Sequence, residues 1–174
     1  ASMYDNDFVM KNMERLHDKG ITIVAPRHEE GKAKIASLGS IVARVLQKLG
    51  PQDFTARRVI IVGGATAEPV DDVRVLTNRS SGKMVLSLAD AAYRRGADVE
   101  LWHGGLAVPD YLEARRFTTH QDIIALARYA DHADVIINCA AISDFVPEYH
   151  AGKLSSGSAM DLHLTPAERV NPHL

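Results

Sequence analysis

Cysteine is nearly absent from this chain, which has only Cys139 among its 174 residues. A single cysteine excludes an internal disulfide framework and is typical of a reducing compartment, so a cytoplasmic location is expected. Apolar runs long enough to cross a bilayer are also lacking, and the first residues do not resemble a secretory leader. We therefore expect neither a membrane-spanning nor a disulfide-stabilised secreted protein.

An excess of charge of one sign is lacking too. The chain has 20 Lys and Arg against 22 Asp and Glu, which gives a formal net charge of −2. Proteins that bind nucleic acid usually present a strongly basic surface, so nucleic-acid binding is not expected. The eight histidines are scattered without the spacing of a zinc site, and no metal ligands are identified among the side chains.

Apolar residues make up 46% of the chain, which is enough for a sizeable core and for one domain or one plus part of another. The sequence begins with Ala1-Ser2 rather than a start methionine. It ends at Asn171–Leu174 without a helix that closes the last unit. We therefore expect a piece of a longer protein that is incomplete at its C-terminal end.

Residues 1–50 are predicted to form a first unit, which a linker at 51–57 joins to a second unit at 58–174. Helical periodicity predicts a helix over Met3–Lys19. Its expected buried residues are Phe8, Met13 and Leu16. The other predicted elements of the first unit are a strand at Ile21–Val24, a polar loop over 27–34, and a helix from Ser37 or Ser40 to Leu49.

In the second unit, short β-branched runs alternate with helical patterns. The predicted strands are Val59–Val62, Val99–Trp102, Phe117–Thr118 and Asp134–Ala141. The predicted helices are Lys83–Arg95 and the segment from Thr119 or His120 to about residue 131, while 67–79 is predicted as a loop and 160–164 alternates like a strand. This order favours an α/β fold, a Rossmann-like three-layer sandwich with a mainly parallel sheet and helices on both faces.

Two turns rich in small residues indicate an anion site. Gly63-Gly64 ends the first strand of this unit, and Ser80-Ser81-Gly82 precedes the helix at Lys83. Glycine lets backbone amides approach a ligand, and a helix N-terminus offers unpaired N–H groups and a positive dipole end. The two turns together predict a polyphosphate site, to which the Asn78 amide could donate. Neither turn is a G-x-G-x-x-G fingerprint or a P-loop, so an ordinary strand exit and an ordinary helix cap are the alternatives.

Further candidates follow the most apolar strand. Ala140, Ala141 and Asp144 lie where open α/β sheets bind ligands, although Asp144 could equally be a turn or N-cap residue. Lys153 lies in a Gly/Ser-rich segment of the kind that is commonly mobile. It could close over phosphates, or it could be an ordinary solvated lysine.

Three other features are assigned no chemistry. Cys139 is expected to be a small buried hydrophobe rather than a nucleophile. Asp71-Asp72 and Glu29-Glu30 are expected to be solvated charges. No convincing Ser-His-Asp order is present.

Four motifs of the second unit resemble the phosphopantothenoylcysteine synthetases, the ligases of coenzyme A biosynthesis, and they occur in the family's order. They are Gly63-Gly64-Ala65-Thr66-x-Glu68-Pro69-Val70-Asp71-x-Val73-Arg74, Asn78-Arg79-Ser80-Ser81-Gly82-Lys83-Met84, Ala140-Ala141-Ile142-Ser143-Asp144-Phe145 and Gly152-Lys153-Leu154-Ser155-Ser156. Residues 3–26 resemble the C-terminal tail of the phosphopantothenoylcysteine decarboxylases, flavoproteins that many microbes fuse ahead of the synthetase. The FMN-binding part of that domain is missing, so no decarboxylase activity is expected.

The resemblance implies that 4′-phosphopantothenate is joined to L-cysteine through an acyl-nucleotide, with CTP or ATP, Mg²⁺ and release of pyrophosphate. It also implies a homodimer. Catalytic roles would fall to Asn78 and Lys153, and the substrate would contact Asn78, Ala140, Ala141 and Asp144. The implied nucleotide contacts are Gly63, Gly64, Ser80, Ser81, Gly82, Ala140, Ala141, Asp144 and Lys153.

Two departures from the family leave questions open. Val85 stands where the family commonly has glycine, and Lys153-Leu154-Ser155-Ser156 is nearer the eukaryotic form of the loop, so the choice between CTP and ATP is open. A non-catalytic nucleotide-binding or dimerisation fragment is the second hypothesis. An NAD(P)-dependent oxidoreductase is the third, and the absent G-x-G-x-x-G argues against it.

Overall fold

The computed structural model describes residues 3–157 and 159–174. Its α-helices are α1 (Asp7–Asp18), α2 (Leu38–Leu49), α3 (Lys83–Arg94) and α4 (His120–Leu126). Its strands are β1 (Arg27–Glu29), β2 (Lys32–Lys34), β3 (Arg58–Gly64), β4 (Ala67–Pro69), β5 (Val75–Thr77), β6 (Asp98–Gly104), β7 (Glu113–Arg116), β8 (Val135–Asn138), β9 (Phe145–Pro147) and β10 (Leu164–Pro166). Single 3₁₀ turns cover Met3–Asp5, Ala127–Tyr129 and Asn171–His173.

A four-stranded parallel sheet in the order β7–β6–β3–β8 forms the centre of the molecule. Strand β3 pairs with β6 from Arg58 to Gly64 and with β8 from Val59 to Val62. Every residue of β3 after Arg58 is buried, because this strand has a neighbour on each side and a helical layer on each face. The continuous apolar run that predicted a strand at 59–62 is therefore confirmed.

Helices cover both faces of this sheet. Val85 and Ala89 of α3 pack on one face against Val59, Ile61 and Leu101. Ile123 of α4 packs on the other face, in a core cluster with Ile60, Val62, Trp102 and Phe117. The three-layer α/β fold predicted from the order of elements is confirmed, and helix α2 contacts α3.

Local capping residues set the starts of two helices where the sequence predicted them. The Ser37 hydroxyl accepts a hydrogen bond from the backbone N–H of Ser40 and begins α2. Thr119 and Asp122 form a capping box at the start of α4. Each cap satisfies amide groups that have no partner within the helix, so short-range chemistry determines these boundaries.

The first unit differs from its prediction in three places. Ile21–Val24 is not a strand, since none of the described strands pairs with it. Residues 27–34 are not a loop but the hairpin β1–β2, whose turn residues Glu30 and Gly31 have φ values of 52° and 71°. That turn geometry fits the twist of paired strands, so polar strands form without an apolar alternation. The predicted buried face of α1 is also wrong, because no residue of this helix is buried and Phe8 is 79% exposed.

Several elements of the second unit also differ from their predicted bounds. Residues 67–79 contain the hairpin β4–β5 rather than a loop. The strand predicted at Phe117–Thr118 lies earlier, at Glu113–Arg116, and the strand predicted over Asp134–Ala141 ends at Asn138. The strand-like alternation at 160–164 is borne out only in part, because the strand lies at Leu164–Pro166, where it pairs antiparallel with β9. No helix in the described part of the chain is long and apolar enough to cross a membrane.

Candidate functional site

The first glycine turn lies at the carboxyl end of β3, where close packing occupies the space beside each glycine. A Cβ on Gly63 would lie 2.5 Å from Cγ2 and 2.7 Å from Cγ1 of Val85 on α3. Gly64 has φ 90°, and a Cβ there would lie 2.8 Å from the backbone N and O of Gly104 on β6. Both positions therefore require glycine for packing, independently of any ligand.

The Asn78 side chain lies against the loop that follows β8. Its Nδ2 donates to the carbonyl of Ile142 at 3.0 Å and, more weakly, to that of Ala141 at 3.4 Å. Ala141 in turn donates its N–H to the Gly64 carbonyl at 2.7 Å and forms a bridge with Ala65. The structure thus brings together three predicted residues: Gly64, Asn78 and Ala141. The amide donors predicted for an oxyanion are engaged by backbone, so that role requires the amide to exchange partners.

The second glycine turn begins helix α3. Gly82 is the N-cap residue with φ 67°, a left-handed conformation that glycine adopts without strain. It has no side chain with which to cap the helix, and Ser81 Oγ lies at the long distance of 3.5 Å from the N–H of Lys83. Ser80 and Ser81 are exposed, as is Lys83. The first turn of α3 therefore offers N–H groups and a positive dipole end to an anion.

This turn lies close to the end of β3 because of one helix–strand contact. Val85, one turn into α3, is the side chain that packs over Gly63. The N-terminus of α3 and the end of β3 consequently meet at the carboxyl edge of the sheet, where α/β folds bind ligands. Packing thus brings together the two turns that the sequence predicts as an anion site.

A cleft of about 730 Å³ opens beside the carboxyl end of β8. Its lining includes Ala140, Asp144 and, from the tail of the chain, residues 167–172. Asn138 also lines it, with its Nδ2 donating to Asn171 Oδ1 at 2.7 Å. The cleft has the size of a small-molecule pocket, and it places Asp144 and Ala140 on one wall.

Lys153 lies on an exposed loop whose contacts run to the turn between β4 and β5. Leu154 N–H donates to Asp71 Oδ2 at 3.0 Å, and Gly152 N–H donates to Asp72 Oδ2 at 3.1 Å. The Arg74 guanidinium donates to the Leu154 carbonyl at 3.2 Å. The loop that was predicted to be mobile is therefore tied at its base to the hairpin that leads into Asn78.

The prediction that Asp71 is a solvated charge is wrong. Asp71 is 3% exposed, and its carboxylate accepts from the N–H groups of Val73 and Arg74 at 2.8 and 2.7 Å and from the Arg74 guanidinium. Burial alone would raise the pKa of this carboxyl, but the donated hydrogen bonds outweigh it and lower the pKa to about 2. Asp71 therefore stays ionised at neutral pH.

A buried pair that no sequence pattern indicated supports the same edge of the sheet. Glu68 on β4 is 1% exposed, and it accepts from the backbone N–H of His120 at 2.9 Å. His120 Nδ1 lies 3.1 Å from Glu68 Oε2. The pair joins hairpin β4–β5 to the start of α4. Glu68 lies within a quoted motif, but no pattern around His120 indicated a partner for it.

Cys139 is half-buried, which comes close to the small buried hydrophobe that was predicted. It packs against the core cluster on the α3 face, and its Sγ lies 3.3 Å from the Val62 carbonyl. Burial raises the pKa of the thiol. A thiol with a raised pKa is a poor nucleophile, so Cys139 has a packing role.

Comparison with known proteins identifies relatives over nearly the whole chain. Residues 54–171 match the family model described as the DNA/pantothenate metabolism flavoprotein C-terminal domain, and residues 1–50 match the flavoprotein family model. The coenzyme A biosynthesis bifunctional protein CoaBC of Thermococcus kodakarensis is 37% identical over 98% of this chain, and that of Methanocaldococcus jannaschii is 38% identical over 97%. The chain spans 43% of the length of each of these relatives.

Solved structures show the same fold. The C-terminal domain of a CoaBC protein superposes with a TM-score of 0.56 at 29% identity, covering 67% of this chain and 57% of that one. A Cab2 mutant in complex with phosphopantothenate-cysteine has a TM-score of 0.52 at 17% identity, covering 73% of this chain and 62% of that one.

Proposed function

Because this chain belongs to the family of DNA/pantothenate metabolism flavoprotein C-terminal domains, we propose that it is the nucleotide-binding part of a phosphopantothenate–cysteine ligase. In this proposal the carboxylate of 4′-phosphopantothenate attacks the α-phosphate of CTP or ATP and releases pyrophosphate. The amine of L-cysteine then attacks the acyl carbon of the acyl-nucleotide, forms the amide, loses a proton and displaces CMP or AMP. The relatives at 37% and 38% identity are named for coenzyme A biosynthesis, and this supports the pathway assignment.

The observation that carries the proposal is the position of the uncapped first turn of α3 at the end of β3, on the carboxyl edge of the sheet. Val85 packs on Gly63 and so brings the uncapped first turn of α3 to the end of β3. Backbone N–H groups fixed in this way suit phosphate oxygens, because they need no rearrangement when charge develops. The cleft that holds Ala140 and Asp144 lies beside the adjacent strand β8 and is large enough for the remainder of a nucleotide.

The residues divide the work of the reaction. A carboxylate is a poor electrophile, so transfer of a nucleotidyl group supplies the leaving group, and the protein contributes positioning and charge neutralisation. We assign phosphate binding to the turn Ser80-Ser81-Gly82 and neutralisation of charge to Lys153. Asn78 is assigned to the acyl-nucleotide, where its amide would exchange the Ile142 carbonyl for a substrate oxygen.

We expect Mg²⁺ to bind together with the nucleotide. Among the described residues there is no group of three or more His, Cys, Asp or Glu side chains that could hold a metal ion. Mg²⁺ in nucleotide enzymes is usually bound by phosphate oxygens with one or two carboxylates, and Asp144 and Glu168 are the carboxylates that line the cleft. The ion would neutralise phosphate charge.

Thermal unfolding of the chain with CTP, ATP or GTP and Mg²⁺ tests nucleotide binding. A ligand that binds only the folded state contributes about 2.7 kcal/mol at a concentration of 100 times its Kd, which raises Tm by several degrees. We expect CTP or ATP to do so, and GTP serves as the comparison. If none of the three raises Tm, the proposal is wrong.

Pyrophosphate release with 4′-phosphopantothenate and cysteine separates a ligase from a fragment that only binds nucleotide. We expect Asn78→Ala to bind nucleotide and to lose product formation. Asn12→Ala, on an exposed face of α1, is the control that should change neither. Unchanged turnover in Asn78→Ala would contradict the role given to Asn78.

The homodimer stays a prediction, and sedimentation of the chain tests it.

A further inference from the structure

Backbone hydrogen bonds attach residues 150–152, at the start of the loop that carries Lys153, to the turn between β4 and β5. His150 donates its N–H to the Val70 carbonyl at 3.0 Å, and Asp72 donates its N–H to the Gly152 carbonyl at 3.5 Å. Asp71 and His150 also form an isolated parallel bridge. The loop therefore runs beside the hairpin turn before it reaches Lys153.

Two consecutive carboxylates then hold the residues on either side of Lys153. Asp72 accepts the N–H of Gly152 at 3.1 Å, and Asp71 accepts the N–H of Leu154 at 3.0 Å. Asp72 also accepts a hydrogen bond from the Tyr149 hydroxyl. The Lys153 backbone is thus fixed on both sides, while its side chain is exposed.

Groups of the protein itself already pair with the charge of the Asp71 carboxylate. Its side chain is fully buried and accepts from Val73, Arg74 and Leu154. The Arg74 guanidinium pairs with the carboxylate and also donates to the Leu154 carbonyl, so one ion pair spans the hairpin and the loop. A buried carboxylate with this many donors has a single favourable arrangement, since leaving any one donor unpaired is costly.

The same hairpin carries Asn78, which follows β5 directly and contacts the Ala141–Ile142 segment. We propose that Asp71 and Asp72 are positioning residues. They clamp the backbone on both sides of Lys153 to hairpin β4–β5, and so they hold Lys153 at a fixed position relative to Asn78. This inference rests on the proposed function, because it is the nucleotide that Lys153 would bind. It assigns Asp71 and Asp72 a role that acts through Lys153.

Amide hydrogen exchange of the 174-residue chain measures the clamp directly. We expect Asp71→Asn to speed exchange of the Leu154 N–H by at least about tenfold, because a charged acceptor is lost. Asp72→Ala should do the same at Gly152, and this exposed residue can be changed with little risk to folding. Glu100→Gln is the matched control: Glu100 is 4% exposed and pairs with Arg58 and Arg115, away from the loop. That control should lower Tm without changing exchange at 152–154.

Nucleotide affinity distinguishes positioning from general destabilisation. Titration calorimetry with Mg–CTP and Mg–ATP should show weaker binding in Asp71→Asn, by about tenfold, and unchanged binding in Glu100→Gln. In the Lys153→Ala background Asp71→Asn should have little further effect, because the clamp acts through Lys153.

The outcomes separate the inference from the proposed function. If the unmodified chain binds neither nucleotide, both fail together. If it binds nucleotide and Asp71→Asn binds equally well, or if exchange at Leu154 is unchanged, only the positioning role is wrong. If Asp71→Asn does not fold, Asp72→Ala decides: faster exchange at Gly152 with weaker binding supports the clamp, and no change in either measurement overturns it.

Discussion

Replacing Gly63 with alanine tests whether steric packing alone requires a glycine at the end of β3. The added Cβ would lie 2.5 and 2.7 Å from the two Cγ atoms of Val85 and closer still to its Cβ. Carbon atoms normally settle about 3.5–4.0 Å apart, so the overlap with each atom is roughly 1 Å. Val85 is 2% exposed and lies on helix α3, which packs on the sheet. Neither α3 nor strand β3 can therefore shift freely to relieve the overlap. Overpacking of this kind costs about 1–3 kcal/mol.

Two substitutions of Val85 differ in how many of the overlapping atoms they remove. Val85→Ala keeps the Cβ that makes the closest approach, so it should restore little of the stability lost in Gly63→Ala. Val85→Gly removes all three offending atoms, so the double variant should show a favourable coupling of about 1–3 kcal/mol relative to the two single variants. This holds even though Val85→Gly is itself destabilising, through lost burial and about 1 kcal/mol of helix propensity.

Urea denaturation followed by the fluorescence of Trp102 provides the assay. Trp102 is the single tryptophan and is fully buried in the core. It pairs with Val62, the residue before Gly63. Additive effects of Gly63→Ala and Val85→Gly would refute the steric explanation. Nucleotide titration of a stable Gly63→Ala/Val85→Gly double variant would then show separately whether the glycine also serves the ligand.

Three other changes have defined outcomes. The pKa of Asp71 is lowered from its ordinary 3.8 to about 2, so its contribution to stability is full above pH 4 and is lost as pH falls towards 2. Unfolding measured from pH 6 to 2 should therefore show the advantage of the unmodified chain over Asp71→Asn disappearing in that window. Cys139, with its raised pKa, should resist iodoacetamide at neutral pH until urea unfolds the chain, as mass spectrometry would detect. His120→Ala should cost about 3 kcal/mol in urea denaturation, since it leaves the buried Glu68 without its side-chain partner, whereas Gln121→Ala next to it should cost far less.

The features that could be predicted from the sequence depend on neighbours in the chain. The strand at β3 was recognisable because an unbroken β-branched run is typical of a strand buried on both faces. The starts of α2 and α4 were recognisable because Ser37 and Thr119 cap amides only a few residues away. The motifs around Gly63, Asn78 and Ala140 identified the family, since their residue types and order are specific together.

The hairpins were missed because their strands lack an apolar alternation. Strand β1 is Arg-His-Glu and β2 is Lys-Ala-Lys, and both are stabilised by pairing rather than by burial. Strand β4 is held in part by the buried Glu68, whose partner His120 is 52 residues away. Patterns read along the chain do not report partners at such separations.

The sequence by itself determined that this is an α/β domain with two small-residue turns and the motifs of a known family, because periodicity, helix caps and residue order are properties of nearby positions. Only the tertiary structure decided which charges are buried and what the polar groups contact. Asp71 has the sequence environment of a surface aspartate, yet Leu154, 83 residues later, supplies one of its donors. Gly63 has the appearance of a ligand turn, yet Val85 occupies the space beside it. Burial and hydrogen-bond partners are set where distant segments meet, so the sequence could nominate candidate site residues but could not show what holds them in place.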